Sequence, residues 1–376
     1  MGERDGVPVD WDSEFDTPGT IDTIVRDLQA AGHTVHCVEA DADLPGWFLT
    51  HAVDLVFNIA EGRHGTYRES QVPAILESLR VPCTGSNSVV LALAIDKAKT
   101  KQILASEGLP TPRWQLFPTS TTALDRRLQF PLMVKPNREG SSKGISKESL
   151  VNDEVSLRRQ VTQVIDRYRQ EVLVEEFIEG QELTAGVLGD VVLPVLEIDF
   201  EPCRQSGERF YSWRMKEFQG NTALGLAPRL FCPARLDPGT TARVQDVARR
   251  AHQALGCVDL SRTDIRLRAD GVPFVLEVNP LPGLNPVDSN FPVMTQAMGL
   301  SHDALIQRIV QLAMARYQMG RSVSVVGSDG WTAETRSPDR QMVGGQGVQV
   351  HHQEPSSAYA IASDGFLMAR TTGGVR

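Results

Sequence analysis

Hydrophobic positions alternate between helical and strand-like spacing over the first ninety residues. The segment TIDTIVRDLQAAG has helical apolar spacing and ends at Gly32, and the strand-like HTVHCVEA follows it. VDLVFNIAEG is typical of a buried strand that runs into a glycine loop, and ESQVPAILESL is amphipathic. This order predicts a parallel sheet covered by helices. No apolar strand opens it, so either the chain starts late or the sheet is one strand short.

The same patterns divide the rest of the chain into three further segments. A helix, the strand PLMVKP, a Gly/Ser loop, a helix and the strand QEVLVEEFIEG predict antiparallel β-structure with packed helices over 95–185. Strands, a long helix, a hairpin and two closing helices follow over 186–318. The first unit therefore spans 1–94, and the polar segment 319–376 is expected to be a disordered tail.

The segment SRTDIRLRADGVPFVLEVNP predicts a β-hairpin. The Asp-Gly pair at 270–271 is a strong two-residue turn signal between two alternating runs. In that register Asp264 faces Glu277. Arg262 then faces Asn279, so all four side chains lie on one face. The opposite face receives an apolar set, in which the pairs are Thr263/Val278, Ile265/Leu276 and Leu267/Phe274.

Two acids that face each other across a sheet repel unless a cation lies between them. Mg²⁺ prefers oxygen ligands and keeps phosphate oxygens in its shell. Glu277 could bridge two ions, with Asp264 on one and Asn279 on the other, and the ions would clamp a triphosphate. Arg262 would then lie where an oxyanion forms. The competing interpretation is that these are solvated residues on an exposed face.

Three other segments carry candidate nucleotide-binding residues. VKPNREGSSKGIS places Lys135 at the end of an apolar strand, before a loop whose backbone N–H groups can approach phosphates. In VLVEEFIEGQEL, Glu175 or Glu176 could contact adenine and Glu182 could hold ribose hydroxyls. Lys97 begins a helix-like run. Each feature alone is more often an ordinary turn or a solvated surface.

Composition limits the class of partner. The 376 residues are 41% hydrophobic and 23% charged, which is typical of a globular protein with more than one core. The net charge of −9 argues against nucleic acid as a partner. Five scattered cysteines predict neither a disulfide framework nor a zinc site. The sequence has no apolar run of membrane-span length and no secretory pattern, so a cytoplasmic location is expected.

Taken in order, the segments DKAKTK, VKPNREGSSKGI, VLVEEFIEGQELTAGVLG, RTDIRL and LEVNPLPGLNP resemble the D-alanine–D-alanine ligase family of the ATP-grasp superfamily. The resemblance covers residues 10–318. It implies an α/β and α+β fold, with an N-terminal parallel α/β domain followed by two α+β domains that grip ATP. It also implies ATP and two Mg²⁺ ions (or Mn²⁺), small amino-acid substrates and, as is common in the family, a homodimer. The implied reaction forms an acylphosphate that an amine attacks.

The resemblance further implies roles for individual residues. The phosphate-binding set is Lys97, Lys135 and Lys216. The adenosine-binding set is Glu175, Phe177 and Glu182. The metal-binding set is Asp264, Glu277 and Asn279. Arg262 and the Gly283 backbone would stabilise the tetrahedral intermediate. Ser141 and Glu14 would lie beside the first substrate. The set at the second substrate's carboxylate is Ser289 and Asn290.

Two departures from the family pattern bear on the substrate. Glu61 stands where the family commonly has a histidine, and Glu217 stands where a tyrosine closes on the active site. Both positions are expected near the amino-acid pockets, and both changes add negative charge. We therefore expect substrates other than two D-alanines, with an extra cation on one substrate or a larger acceptor.

Three interpretations remain open at this point. The first is a carboxylate–amine ligase of the D-alanine–D-alanine type. The second is a ligase that joins other amino acids, or an amino acid to a natural-product scaffold. The third, from another class, is a nucleotide-binding regulator without ligation. Arg262, Glu277 and Asn279 are needed only for the chemical steps, so their presence argues against the third interpretation.

Overall fold

The computed structural model describes residues 3–4, 7–218, 222–319 and 366–370. Its strands are β1 (Glu3–Arg4), β2 (Val7–Pro8), β3 (Val35–Glu39), β4 (Val56–Asn58), β5 (Trp114–Phe117), β6 (Leu132–Pro136), β7 (Leu150–Val151), β8 (Val172–Glu176), β9 (Gly180–Leu188), β10 (Val191–Val192), β11 (Leu196–Asp199), β12 (Arg229–Phe231), β13 (Leu260–Arg268), β14 (Pro273–Asn279) and β15 (Phe366–Arg370). Its α-helices are α1 (Pro18–Ala30), α2 (Leu44–Trp47), α3 (Gln71–Leu79), α4 (Ser88–Ile95), α5 (Lys97–Ser106), α6 (Glu154–Tyr168), α7 (Trp213–Glu217), α8 (Pro238–Leu255), α9 (Asn290–Ala297) and α10 (His302–Arg316).

The N-terminal sheet is parallel, as the sequence predicts, but its middle strand comes from the far end of the chain. β15 lies between β3 and β4 and pairs with both. The prediction of a disordered tail is therefore wrong for 366–370, because these residues pair with β3 and β4 and so satisfy backbone groups of both strands. The rest of the predicted tail, 320–365 and 371–376, lies outside the described residues.

The central sheet is antiparallel, in the order β5-β8-β6-β7, which confirms the prediction for this part of the chain. Helix α6 packs on it through Leu157, Val161 and Val164, whose i, i+4, i+7 spacing places them on one face. Asp153 caps the start of that helix by accepting from the Ser156 N–H.

The C-terminal sheet is also antiparallel and follows the order β12-β11-β9-β13-β14, with β10 on β9. The expected domain boundary at residue 185 falls inside β9, so it is misplaced: the central sheet ends at Glu176 and the next sheet begins at Gly180. Helix α8 covers this sheet with Val244 and Ala248. No helix in the described ranges is long and apolar enough to cross a membrane.

The predicted hairpin forms with the expected pairing at its functional end. Arg262 pairs with Asn279, and Asp264 pairs with Glu277. The turn prediction is wrong: the Arg268 N–H donates to the Val272 carbonyl, so the loop is one residue longer than predicted. A β-bulge restores the register, which shifts between Asp264 and the residue that follows it.

The bulge also changes the apolar face. Ile265 pairs with Val275 and Leu267 with Pro273, so the predicted pairs Ile265/Leu276 and Leu267/Phe274 are wrong. Leu276 is the extra residue of the bulge and lines the large cavity instead of the core.

Candidate active site

A cavity of about 390 Å³ lies between the central and C-terminal sheets. Apolar side chains from both sheets, including Met133, Leu183, Ile198 and Leu276, line part of its wall. Charged side chains from the ends of the same strands line the rest. A pocket that is apolar at one end and charged at the other suits a ligand with a planar base and an anionic chain.

A buried carboxylate and two lysines stand at one side of this cavity. Glu175 pairs with Lys135 at 2.5 Å and with Lys101 at 2.6 Å. Burial opposes ionisation of Glu175, but the two lysine charges outweigh it and lower its pKa. Burial lowers the pKa of Lys101 to about 8. Glu175, predicted to contact adenosine, therefore holds both lysines in place, and Lys135 lies at the cavity wall as expected.

The other predicted adenosine residues meet around one arginine. The Arg266 guanidinium lies 4.6 Å from the Phe177 ring centroid, and its Nη1 donates to Glu182 Oε2 at 2.9 Å. Its Nε donates to the Ile178 carbonyl at 3.0 Å. Both Phe177 and Glu182 line the large cavity. The structure therefore brings these two predicted residues together beside the apolar wall.

The paired acids of the hairpin form the charged end. Arg262 donates to Asp264 at 2.8 and 3.0 Å, and Asn279 Nδ2 donates to the same carboxylate at 3.3 Å. Glu277 pairs with Lys97 at 3.0 Å. Burial opposes ionisation of Glu277, yet surrounding cations, Lys97 first, hold the pKa of its carboxyl well below the usual range. All three predicted metal ligands are thus adjacent and ionised or polar.

This donor set fits a hard divalent cation. Two carboxylates and one amide supply the oxygen ligands that Mg²⁺ prefers, and phosphate oxygens complete such a shell. In the structure the cationic groups of Arg262 and Lys97 neutralise the acids. Within the described residues no group of three His, Cys, Asp or Glu side chains could hold a metal alone. A divalent ion would therefore depend on a bound phosphate chain for part of its coordination.

The Gly/Ser loop turns tightly beside this face. Ser141 and Ser142 both have left-handed backbone conformations, with φ of 45° and 58°. A Cβ on Gly140 would lie 2.7 Å from Glu14 Oε1, so glycine is required for this close approach. Ser141 lines both this cavity and a smaller neighbouring one, which agrees with its predicted place beside the first substrate.

Glu14 lies at the same loop but is already paired. Its carboxylate accepts from Arg68 at 2.7 Å, from Lys143 at 2.8 Å and from the Gly140 N–H at 2.5 Å. Burial opposes its ionisation, while Lys143 and Arg68 lower its pKa to about 2. The predicted role of Glu14 as ligand of a substrate ammonium remains untested, since these contacts tie it to the protein.

The smaller cavity, of about 120 Å³, adjoins the catalytic face and is lined by several acids, of which Glu61 was predicted and Asp16 and Glu69 were not. Asp16, Glu61 and Glu69 line it. Burial raises the pKa of Asp16 to about 6. Burial and the charge of Glu14 raise that of Glu69 to about 7. Burial, followed by the charge of Glu69, raises the pKa of Glu61 well above its usual value. The predicted position of Glu61 at an amino-acid pocket is consistent with this placement.

The segment 210–218 covers the site and contacts the Gly/Ser loop. Ser142 donates to the Tyr211 carbonyl at 2.8 Å, and Trp213 Nε1 donates to Ser13 at 2.6 Å. Lys216 lines both cavities, as predicted for a phosphate ligand. Glu217 is exposed and does not line either of the two cavities described, so its role at a substrate pocket stays a prediction. Helical spacing turns it away from Lys216.

The remaining predicted residues lie where the two cavities meet. Gly283 lines both, and a Cβ there would lie 2.8 Å from Ser289 Oγ. Ser289 and Asn290 line the large cavity, and Asn290 is 8% exposed. No partner in the described part of the chain satisfies its buried Oδ1. A ligand group that donates a hydrogen bond would satisfy this atom.

Several residues of the site were missed from the sequence. The set is Asp16, Arg68, Glu69, Lys101, Glu139, Lys143 and Arg266. A signal existed for Lys101, which lies one helical turn after Lys97, and for Lys143 within the Gly/Ser loop. The adjacent residues Arg68 and Glu69 gave no such signal, because the residues near them in the fold lie far away in sequence.

The family described as "D-ala D-ala ligase C-terminus" matches residues 103–311. A D-alanine–D-alanine ligase of a Synechococcus species is 36% identical over 304 residues, which is 79% of this chain and 88% of that protein. The enzyme of that name from Nitrosomonas europaea is 37% identical over 267 residues, covering 70% and 81%. An uncharacterized protein of Sinorhizobium fredii is 33% identical over 305 residues, covering 79% and 88%.

Solved structures show the same fold. The D-alanine–D-alanine ligase of Bacillus anthracis, solved in complex with ATP, superposes with a TM-score of 0.64 at 24% identity, over 80% of this chain and 92% of that one. The VanG D-Ala:D-Ser ligase of Enterococcus faecalis gives 0.57 at 27% identity, over 69% and 73%. The chain therefore belongs to the D-alanine–D-alanine ligase family of ATP-dependent ligases, with an ATP-grasp fold.

Proposed function

We propose that this ligase uses ATP and Mg²⁺ to convert an amino-acid carboxylate into an acylphosphate, which the amine of a second substrate attacks. The observation that carries the proposal is the junction of the two cavities. Arg262, Glu277 and Gly283 line both. A phosphate chain in the large cavity and a carboxylate in the small one would therefore meet at the hairpin's acid face.

In the first step a carboxylate oxygen attacks the γ-phosphorus, and the bond to the β-phosphate oxygen breaks to release ADP. Lys97, Lys135 and Lys216 line this region and would balance the charge of the phosphates. Asp264, Glu277 and Asn279 would hold Mg²⁺, which supplies positive charge to the γ-phosphate. For these acids to bind a metal, Arg262 and Lys97 must turn from them toward the substrate.

In the second step the amine attacks the acyl carbon. The C–N bond forms, the C–O bond to phosphate breaks, and the nitrogen gives up a proton. Arg262 and Gly283 line both cavities, so a guanidinium and the Gly283 N–H would be available to stabilise the oxyanion that forms there. The segment 210–218 would exclude water, which otherwise hydrolyses an acylphosphate.

Release of ADP across a panel of D- and L-amino acids tests the proposal. We expect ADP to form when one substrate supplies a carboxylate and another an amine, and the Arg262→Met variant to lose at least about 100-fold in kcat. Binding of Mg-ATP without ADP from any pair would instead indicate a nucleotide-binding regulator. A cytoplasmic location, where ATP is supplied, fits this chemistry, and a homodimer stays a prediction.

A further inference from the structure

The smaller cavity has more negative charge than its neighbouring cations neutralise. Among its lining residues, Glu277 pairs with Lys97. Glu14 and Glu139 share the two cations Arg68 and Lys143. These pairs are internally balanced. The other lining cations, Arg262 and Lys216, lie at the phosphate end, where Arg262 pairs with Asp264 and Lys216 experiences the charges of Glu277, Asp264 and Glu182. The carboxylates of the same wall that they leave are Asp16, Glu61 and Glu69.

These three acids, which we call the acid triad, have no side-chain hydrogen bond or ion pair within the described ranges. The charge of Arg68 favours the ionised forms of Glu61 and Glu69, but burial and the neighbouring acids outweigh it and raise both pKa values. Glu61 experiences the negative charges of Glu69, Glu14 and Asp16 together. Solvated surface acids would not repel one another this strongly, because water screens them. Inside a cavity, such a group is stabilised by a ligand that brings positive charge.

The ligand of this cavity must also supply the carboxylate that is phosphorylated, so its positive charge lies on an organic group. Each ammonium carries three donors that separated carboxylates can share. The acid triad therefore favours ammonium or guanidinium groups.

The other end of the same cavity fixes how such a ligand lies. Arg262, Asn279 and Gly283 line that end, where the proposed acylphosphate forms. An amino acid in the cavity would point its carboxylate at Arg262 and its cationic groups at the acid triad. The α-ammonium pairs with one member of the acid triad, and two carboxyl groups remain that a second cation would hold in the ionised form.

We propose that the acid-side substrate, which is the one whose carboxylate is phosphorylated, is an amino acid with a second cationic group, such as a short diamino acid. This inference rests on the proposed function and deepens it, because it assigns the chemical class of the substrate that is phosphorylated. Selection arises because a neutral side chain would leave two half-buried carboxyl groups of the cavity wall without a partner.

Hydroxylamine in place of the natural amine gives a direct assay of acid-side selection. It traps the acylphosphate as a hydroxamate, so no knowledge of the second substrate is needed. The matched substrates are 2,4-diaminobutyrate and norvaline, which have the same number of side-chain heavy atoms and differ by an ammonium in place of a methyl. With both enantiomers of each, we expect kcat/KM for hydroxamate formation to favour the diamino acid by about 10- to 100-fold.

Variants of the acid triad sharpen the test. In the double variant Glu61→Gln/Glu69→Gln the preference should fall to about threefold or less, since the charge is removed with little change in shape. A cooperative thermal unfolding transition shows that the variant is folded, so a lost preference reports on recognition. The matched control is Glu154→Gln on the exposed surface of α6, and its preference should equal that of the parent.

The possible outcomes distinguish failure of this inference from failure of the proposed ligase function. Equal or faster turnover of norvaline or alanine by the parent enzyme would overturn the inference and leave the ligase function standing. A preference that survives in the double variant would also overturn the assignment to Glu61 and Glu69. A lack of hydroxamate and ADP from every amino acid would overturn both.

Discussion

The nucleotide side and the acid-substrate side of this enzyme are organised in opposite ways. On the nucleotide side, buried carboxylates are matched with cations, as in Glu175 with Lys101 and Lys135 and in Glu277 with Lys97. On the acid-substrate side, Glu61 and Glu69 face a cavity, and their pKa values are raised by burial and by neighbouring acids. On the first side the acids are paired within the protein, and on the second side the acid triad is left for a ligand to pair.

The two sides also differ in how the chain builds them. The central sheet and the hairpin are formed by strands that are near neighbours in sequence. The N-terminal sheet needs β15, whose residues lie more than 300 positions after β4. Because β4 leads directly to Glu61, the position of the acid triad depends on that distant strand.

The largest expected effect comes from removing an acid on the nucleotide side. Glu277→Gln removes the charge that pairs with Lys97 and the proposed bridge between metal ions, while the shape is kept. We expect kcat/KM for ADP release to fall by about 10³-fold or more, which corresponds to roughly 4 kcal/mol. Glu154→Gln is the control with the same chemical change at a surface ion pair. A loss below tenfold would contradict the role of Glu277.

Breaking the distant strand should have the next largest effect. Met368→Pro removes a backbone N–H from the middle of a three-stranded parallel sheet, which should cost about 3 kcal/mol or more. We expect a lower denaturation midpoint and weaker binding of the acid-side substrate. Met368→Leu keeps the N–H and serves as control. If the proline variant unfolds like the parent, β15 is not needed for the sheet.

The smallest effect is a gain in stability. The pKa of Glu69 is raised to about 7 in the folded protein from an ordinary 4.5. The folded state therefore binds more protons between pH 4.5 and 7, and stability falls as pH rises through this window. Glu69→Gln removes the penalty, so it should stabilise the protein by about 1–3 kcal/mol at pH 8 and by little at pH 4. Urea unfolding at both pH values measures this, and equal effects would contradict a raised pKa.

The same contrast explains how far the sequence could predict the molecule. Local patterns are sufficient where partners are close: α1, α6, the antiparallel central sheet and the facing of Asp264 with Glu277 were all predicted. The predicted hairpin register is right at Glu277 for a partly wrong reason, because the longer turn and the bulge compensate for each other. Nothing in the alternation of side chains shows a bulge in advance.

On the acid-substrate side, contacts between residues far apart in sequence could not be predicted. FLMAR has the pattern of a short strand, yet it follows a long polar segment and gives no indication of which strands it joins. The pairing of Glu14 with Arg68 joins residues 54 positions apart, and the acid triad combines three segments of chain. The predicted role of Glu217 stays a prediction, because its side chain is exposed and lines neither cavity.

Transfer of oxygen from the substrate carboxylate to phosphate tests the central claim most directly. With an ¹⁸O-labelled amino-acid carboxylate, ATP and an amine, attack on the γ-phosphorus followed by loss of phosphate leaves one ¹⁸O atom in the inorganic phosphate. The account predicts one labelled oxygen for each peptide bond formed. Bond formation accompanied by unlabelled phosphate would contradict an acylphosphate and the role assigned to the junction of the two cavities.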